Sequence, residues 1–211
     1  MRYRDREQAG QLLADRVAEL RLDRPVVYAL PRGGVPAARE VSARLKAPLD
    51  LLLVRKIGVP WQPELAAAAV VDGERPIIVR NEKIIAGTDL SDEAISAAAR
   101  RECAEIERRR ALYLGKRPPV LAEGRDVVIV DDGVATGASL KAAIQAVNRR
   151  GPKSVTVAVP VGAPDTLREI ETMVDRLICL YAPPRLTSIG AYYDDFHQLT
   201  DDEVIELLTP S

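Results

Sequence analysis

The chain has 211 residues, enough for one compact domain, and 47% of them are hydrophobic, so a buried core is expected. Acidic and basic residues nearly balance, giving a formal net charge of −1, which argues against a nucleic-acid-binding protein. The N-terminus is charged, unlike a signal sequence, and the longest apolar run, Leu65–Val71, is too short to span a bilayer. One histidine and two distant cysteines argue against a zinc site. The composition predicts a soluble, cytoplasmic protein with no membrane partner.

Short apolar runs alternate with amphipathic segments along the chain. In chain order, the predicted elements are a helix from Asp5 to about Leu20, a strand Val26–Leu30, a helix Val35–Leu45, a strand Leu49–Val54, a hairpin of Ala66–Val71 with Pro76–Val79, a helix from Ser91 to near Leu114, a strand Val127–Val130, a helix from Leu140 to Gly151, a strand Val155–Val159, a helix Pro164–Met173, a strand Leu177–Tyr181 and a helix Asp201–Leu208. Glycine and proline interrupt Arg55–Pro63, which predicts a loop or the arm of a mobile flap. The weakly apolar face of the helix from Ser91 predicts a surface position.

This alternation predicts a single α/β domain over residues 1–211, with a doubly wound, mostly parallel sheet. In such sheets, ligands bind outside the carboxyl ends of the strands. Every loop with unusual chemistry in this sequence leaves the carboxyl end of a predicted strand. The sequence therefore places a binding site at that edge.

The segment Val127–Ser139, VVIVDDGVATGAS, has the residues of a sugar-phosphate site. Asp131 and Asp132 follow the strand, and their carboxylates can accept hydrogen bonds from ribose hydroxyls or from water on Mg²⁺. The small residues of the next turn let backbone amides approach a phosphate; they are Gly133, Val134, Ala135, Thr136, Gly137, Ala138 and Ser139. A plain strand–loop–helix junction with Asp as helix cap is the alternative. The order of residues favours a ribose 5-phosphate site, and a P-loop is excluded because GK[ST] is absent.

Two further loops carry groups that suit a diphosphate. Arg32, Gly33 and Gly34 follow the first strand, and a guanidinium beside exposed amides can hold diphosphate oxygens. Arg55 and Lys56 follow the second strand and can neutralise a leaving diphosphate. The alternatives are a helix-entry turn for the first loop and a solvated basic pair for the second.

These motifs resemble those of the type I phosphoribosyltransferases. Besides Val127–Ser139, the resemblance rests on LPRGGVP at Leu30–Pro36, VRKIG at Val54–Gly58 and GAYYDDF at Gly190–Phe196. It is greatest to a bacterial group of stand-alone phosphoribosyltransferase-domain proteins whose acceptor is not assigned. The family fold is a parallel sheet with a small hood, here expected at about residues 182–200. The resemblance also implies a non-proline cis peptide in the Arg32 loop.

The resemblance implies transfer of the 5-phosphoribosyl group from 5-phosphoribosyl 1-diphosphate (PRPP) to a nitrogen acceptor, with Mg²⁺ as cofactor. Nucleotide and nucleoside metabolism, and a homodimer, are the corresponding expectations. The implied PRPP-binding residues are those of the three loops, and the implied catalytic residues are Asp131, Asp132, Arg32 and Lys56. The acids would hold the metal through water.

The acceptor is less defined. Tyr192, Tyr193 and Phe196 can stack on a planar base or anchor the hood to the core. Ala135 stands where enzymes for 6-oxopurines usually have an aspartate, which disfavours hypoxanthine and guanine. A non-catalytic PRPP- or nucleotide-binding regulator with the same fold remains the alternative to an enzyme.

Overall fold

The computed structural model describes residues 1–73, 75–88 and 90–209, with only the backbone of Pro63 and Glu64. Helices and strands alternate through most of the chain. In chain order they are α1 (Arg6–Ala18), β1 (Pro25–Ala29), α2 (Gly34–Leu45), β2 (Leu49–Leu51), β3 (Val54–Val59), β4 (Gln62–Val71), β5 (Ile77–Arg80), α3 (Glu82–Ala86), α4 (Asp92–Leu114), β6 (Asp126–Val130), α5 (Ala138–Asn148), β7 (Ser154–Val161), α6 (Pro164–Glu171), β8 (Arg176–Tyr181) and α7 (Asp201–Leu208). None of the described helices combines the length and the apolarity that a bilayer crossing requires.

The main sheet has five parallel strands in the order β2-β1-β6-β7-β8. All five residues of the central strand β6 are buried, as expected for a parallel strand covered on both faces. One face packs against α1, α2, α4 and α7, and the other packs against α5. The predicted doubly wound α/β fold is therefore confirmed. The carboxyl ends of β1, β6 and β7 lie side by side and carry the loops of the candidate site.

A smaller, antiparallel sheet of β3, β4 and β5 stands beside the main sheet. The predicted hairpin is present as β4 and β5. Of the two alternatives for Arg55–Pro63, the loop is wrong because the segment forms β3, a turn and the start of β4, and the arm of a mobile flap stays a prediction. Ile57 and Val59 alternate with more exposed neighbours, and this period of two marks a strand that Gly58 and Pro60 obscure in the sequence. The predicted strand Leu49–Val54 is likewise divided, because the chain leaves the main sheet after Leu51 and joins the small sheet at Val54.

A buried cluster of charges joins the two sheets to α4. The Arg110 guanidinium binds the Asp50 carboxylate at 2.8 Å and the Asp72 carboxylate at 2.9 Å. Asp72 also accepts a hydrogen bond from the backbone N–H of Leu53 at 2.7 Å, where the chain crosses between sheets. Burial raises the pKa of Asp72 to about 6, and Arg110 opposes that rise. Although much of α4 is exposed, its arginine is therefore part of the interior.

Replacing Arg110 with methionine should strongly destabilise the fold. Removing one partner of a buried pair leaves an uncompensated charge, so we expect the free energy of unfolding in urea to fall by about 3–5 kcal/mol at pH 7. The deficit should shrink towards pH 5, because a buried carboxyl with a raised pKa binds protons more readily in the folded chain than in the unfolded chain.

Arg108→Met is the matched control. Arg108 pairs with Glu105 one turn away, and its side chain is 61% exposed. Such a surface pair contributes about 0–1 kcal/mol. Equal losses of unfolding free energy in the two variants would contradict the role assigned to Arg110.

Candidate functional site

The two adjacent acids lie at the carboxyl end of β6, as predicted. The backbone N–H of Asp132 donates to the Asp131 carboxylate at 2.9 Å, which fixes the turn. Burial, together with the charge of Asp132, raises the pKa of Asp131 well above its ordinary value. Burial also raises the pKa of Asp132, against the opposing effect of Arg6. Both residues nevertheless remain partly exposed at this edge of the sheet.

Arg6, the first residue of α1, is a site residue that the sequence analysis missed. Its Nε lies 2.8 Å from the Asp132 carboxylate, and its side chain is only 9% exposed. Its Nη1 donates to the carbonyl of His197 at 3.0 Å, and the guanidinium lies 3.8 Å from the centre of the Phe196 ring. Arg6 is one of several arginines in a charged N-terminal stretch, so no local signal distinguishes it.

The loop after the acids forms a small cleft at the start of α5. The cleft has a volume of about 160 Å³ and is lined by Lys56, Asp131 and residues 133–140. Gly137 has φ +68°, a conformation that favours glycine, and it directly precedes α5. The backbone amides of the turn and the helix N-terminus are suited to an anion. The structure therefore brings the predicted phosphate loop and Lys56 to one cleft.

Val134 has a different role within this loop. Its backbone N–H donates to the carbonyl of Val161 at 2.9 Å, and its carbonyl accepts from the N–H of Ala163 at 2.9 Å. Both backbone groups are therefore occupied by the end of β7 and the residues that follow it. Val134 holds the loop on the sheet, and its amide is not available for the phosphate contact predicted from the sequence.

The Arg32 loop presses directly against the acids. It contains the expected cis peptide, between Pro31 and Arg32. A Cβ atom on Gly33 would lie 2.1 Å from a carboxylate oxygen of Asp132, and one on Gly34 would lie 2.7 Å from the carbonyl oxygen of Val130. The predicted diphosphate and ribose loops are therefore neighbours that fit together because these two residues lack side chains.

The Arg32 side chain points towards α7. Its Nη1 lies 3.7 Å from the carboxylate of Asp201, the first residue of that helix. The same carboxylate accepts a hydrogen bond from the Tyr113 hydroxyl at 2.6 Å. Arg32 is partly exposed, and its contact with Asp201 is longer than a hydrogen-bonded ion pair.

The basic pair on β3 is divided between two faces of its strand, since successive side chains point to opposite sides. Lys56 is exposed and lines the cleft. Arg55 binds Glu102 of α4 through its Nε at 2.7 Å. The structure thus favours Lys56 as a site residue and corrects the placement of Arg55, which serves the contact between the small sheet and α4.

The aromatic residues of the predicted hood mostly anchor that segment. Tyr193 is 2% exposed, and its hydroxyl donates to the backbone carbonyl of Asp132 at 2.6 Å. Its ring stacks on Phe196 at 4.9 Å between centroids, and Arg6 also covers Phe196. Neither ring offers a free face for a base, so stacking by Tyr193 or Phe196 is not supported. Tyr192 is partly exposed and contacts Tyr181.

The carboxyl edge of the parallel sheet carries two acids and a loop of small residues. Open α/β domains of this class bind their ligands at that edge. A family model described as "Phosphoribosyl transferase domain" matches residues 6–184. The chain belongs to this family. The family predicted from the sequence motifs is thereby confirmed.

Two comparisons cover nearly the whole chain. A provisionally named phosphoribosyl transferase of Mycobacterium tuberculosis is 43% identical over 206 residues, which are 98% of this chain and 46% of that protein. The chain therefore spans about half the length of this curated relative. The crystal structure of the protein TT1426 from Thermus thermophilus is 42% identical, with a TM-score of 0.87 over 99% of this chain and 98% of that chain.

A shorter match involves a named enzyme. The uracil phosphoribosyltransferase of Lacticaseibacillus paracasei is 41% identical over 59 residues, 28% of each chain.

Gly33→Ala should weaken binding of a phosphorylated ribose more than it weakens folding. Gly33 has φ −59°, which alanine accepts, so only the new contact with Asp132 matters. Displacing that carboxylate should lower PRPP affinity at least about tenfold, measured by calorimetry. Gly87→Ala is the control, since its Cβ would meet nothing closer than 3.5 Å. Equal PRPP affinities in the two variants would contradict this account.

The chain has a single histidine, His197, so the pKa of its imidazole reports on the contacts of the predicted hood. His197 contacts Asp195 through Nδ1 at 2.8 Å and Glu203 of α7 through Nε2 at 2.9 Å. These hydrogen bonds raise the pKa of His197. Its contribution to stability is therefore complete below the unfolded-state pKa of about 6.5 and is lost as pH rises through the higher folded value.

An NMR titration of the imidazole checks this expectation. The pKa should lie above about 6.5, and Asp195→Asn should lower it. Asp194→Asn is the control, because Asp194 pairs with Arg2 at 2.7 Å. A pKa at or below the ordinary value, unchanged by Asp195→Asn, would show that these contacts do not form in solution.

Proposed function

We propose that this chain transfers the 5-phosphoribosyl group of PRPP to a nitrogen acceptor and releases diphosphate. The observation that carries the proposal is the cleft that joins Asp131, the loop 133–140 and Lys56, with the Gly33–Gly34 backbone packed against the acids. Ribose, 5-phosphate and diphosphate need these three kinds of partner at neighbouring positions. The proposal concerns this domain and not the whole of its longer relatives.

Each loop has a distinct task in this proposal. The backbone amides of the residues that follow Ala135, together with the hydroxyls of Thr136 and Ser139, hold the 5-phosphate. Asp131 and Asp132 accept hydrogen bonds from the ribose hydroxyls. The amide of Gly33, together with Arg32, binds the diphosphate, whereas the amide of Gly34 already donates to the carbonyl of Leu30 at 3.0 Å.

The reaction exchanges one bond at the ribose C1 for another. The C1–O bond to diphosphate breaks as the acceptor nitrogen bonds to C1, and the proton of that nitrogen passes to solvent. Positive charge develops on the ribose ring and negative charge on the leaving group. Lys56 lines the cleft and can move towards the leaving group to stabilise its charge.

The donor set fits a Mg²⁺ ion that PRPP brings with it. Mg²⁺ in proteins commonly takes one or two carboxylates and completes its shell with substrate phosphates and water. Asp132 is already paired with Arg6, which leaves Asp131 as the better placed carboxylate, acting through water. The ion would neutralise diphosphate charge. No cluster of three or more acidic, histidine or cysteine ligands occurs among the described residues, in keeping with a metal held largely by its substrate.

The acceptor proposed is a nucleobase. Ala135 lacks the carboxylate expected beside a 6-oxopurine, and the partial similarity to uracil phosphoribosyltransferases makes uracil the first base to test. Tyr192 is the remaining candidate for contact with the base. The homodimer and the cytoplasmic location inferred from sequence stay predictions.

PRPP with Mg²⁺ should raise the melting temperature of the protein. At about 100 times its Kd, a ligand adds ~2.7 kcal/mol, which is about 5–10 °C for a chain of this size. Asp131→Asn combined with Asp132→Asn should abolish the shift. Asp165→Asn with Asp202→Asn, both exposed, is the control of equal charge. No shift with the unaltered protein at millimolar PRPP would refute PRPP binding.

Turnover is tested separately by diphosphate release in a screen of bases. We expect release with uracil or another base lacking the 6-oxo group, and none with hypoxanthine or guanine. PRPP binding without release for any base would instead identify a non-catalytic PRPP-binding regulator.

A further inference from the structure

A second cavity lies at the edge of the main sheet beside β2. Its volume is about 350 Å³, and none of its lining residues lines the phosphate cleft. Its floor is formed by β1 and β2, and its walls by Gly73, Arg75 and Ile77, by residues 119–123 and by the two arginines that follow α5. We call it the edge cavity. It has no part in the proposed transfer reaction.

Basic groups dominate the polar lining of the edge cavity. Arg75, Arg110, Arg149 and Arg150 line it, against the acids Asp50 and Glu123. Arg110 binds both Asp50 and Asp72, so these three groups together carry one more acidic than basic group. Arg149 and Arg150, which directly follow α5, add two guanidinium groups to the wall on that side.

Arg150 makes no direct ion pair among the described residues, and the nearby charge of Asp72 acts on it without direct contact. Its Nη2 donates to the backbone carbonyl of Asp72, and within the described ranges no carboxylate lies at ion-pair distance from it. Burial lowers the pKa of Arg150. A guanidinium that is partly removed from water without a direct ion pair carries a desolvation cost, which an entering anion would offset.

Arg149 stands next to Arg150 at the exposed side of the cavity. Its Nη1 makes a bond of 3.2 Å to the carbonyl of Ile78, which leaves other N–H groups of its guanidinium unused. Two adjacent guanidinium groups match the geometry of a phosphate, which accepts paired N–H bonds.

The rest of the wall is apolar and open. Leu51, Leu52, Ile77, Val120 and Ala122 contribute to it, and Leu121 remains 49% exposed at its side. A bare inorganic ion would leave this surface uncovered. The volume lies in the range of small-molecule sites, about 300–1,000 Å³. The lining therefore suits a compact ligand with a phosphate at one end and a flat, weakly polar ring at the other.

We propose that the edge cavity binds a mononucleotide, with its phosphate on Arg149 and Arg150 and its base against Val120 and Leu121. The site is separate from the PRPP cleft and does not depend on the transfer activity. Its ligand is of the same chemical class as the product of the proposed reaction, so binding at the two places must be distinguished by experiment.

Calorimetry with AMP, GMP, CMP, UMP and inorganic phosphate tests the proposal. The protein used is the full chain carrying Asp131→Asn and Asp132→Asn, which weakens nucleotide binding at the cleft. At least one mononucleotide should bind this protein. Adding Arg149→Glu should weaken that binding at least about tenfold. Arg149 is exposed and makes only a backbone contact, so this variant should fold normally, which circular dichroism checks.

Arg168→Glu on the same background is the charge-matched control, since Arg168 lies exposed on α6. It should leave nucleotide affinity unchanged. The proposal is overturned if no mononucleotide binds at millimolar concentration, or if Arg149→Glu and Arg168→Glu have the same effect. Inorganic phosphate binding as tightly as every nucleotide also overturns it, because the apolar wall would then contribute nothing. Since the test uses a protein without the ribose acids, its outcome is independent of PRPP transfer.

Discussion

The ion pair between Arg6 and Asp132 is the contact on which the architecture of the candidate site depends. It joins the start of α1, the carboxyl end of β6 and the segment around Phe196 and His197. A pair this buried contributes little net stability, because the cost of desolvation offsets much of the Coulomb attraction. Its main effect is orientation: Asp132 is held in one position, and the Arg32 loop packs against it through Gly33.

This arrangement also controls the charge of the acids. Two neighbouring carboxylates in a poorly hydrated place cannot both ionise easily, which is why burial and mutual repulsion raise the pKa of Asp131. Arg6 forms an ion pair with Asp132, so it offsets mainly the negative charge of that carboxylate. A ligand that brings hydroxyl donors or a cation to Asp131 therefore supplies what the protein does not provide itself. The same principle applies to the edge cavity, where the Arg150 guanidinium binds a backbone carbonyl but makes no direct ion pair with a described carboxylate.

Much of the fold and the central motif could be predicted from sequence because they depend on local patterns. Short apolar strands such as Val127–Val130, and the small residues that follow Asp132, are recognisable within a dozen positions. The sequence pattern does not predict the antiparallel strand β3, because Gly58 and Pro60 are residue types typical of loops. The separation of Arg55 from Lys56 follows from strand alternation, once the strand itself is known.

The remaining errors concern contacts between distant segments. Arg6, Tyr193 and Phe196 meet across most of the chain, and nothing near any of them in sequence shows that they touch. Tyr193 is a type of residue that can stack on a base, yet its hydroxyl and ring are both used to fix the end of β6. Sequence patterns identify chemical types, whereas only the packed structure decides which of them remain available to a ligand.

The meeting of these distant segments has a consequence for biosynthesis. Tyr3 exchanges backbone hydrogen bonds of 2.8 Å with Tyr192 and Asp194, beside the Arg6 contact with His197. On the ribosome, residues 2–6 leave the exit tunnel long before residues 192–197 do. The contacts between the two segments can form only after the later segment has left the tunnel. A nascent chain can therefore form β1, β6 and their loops while Asp132 still lacks its surroundings. The surroundings of Asp132 are completed only after residue 197 has emerged, when the two segments can meet.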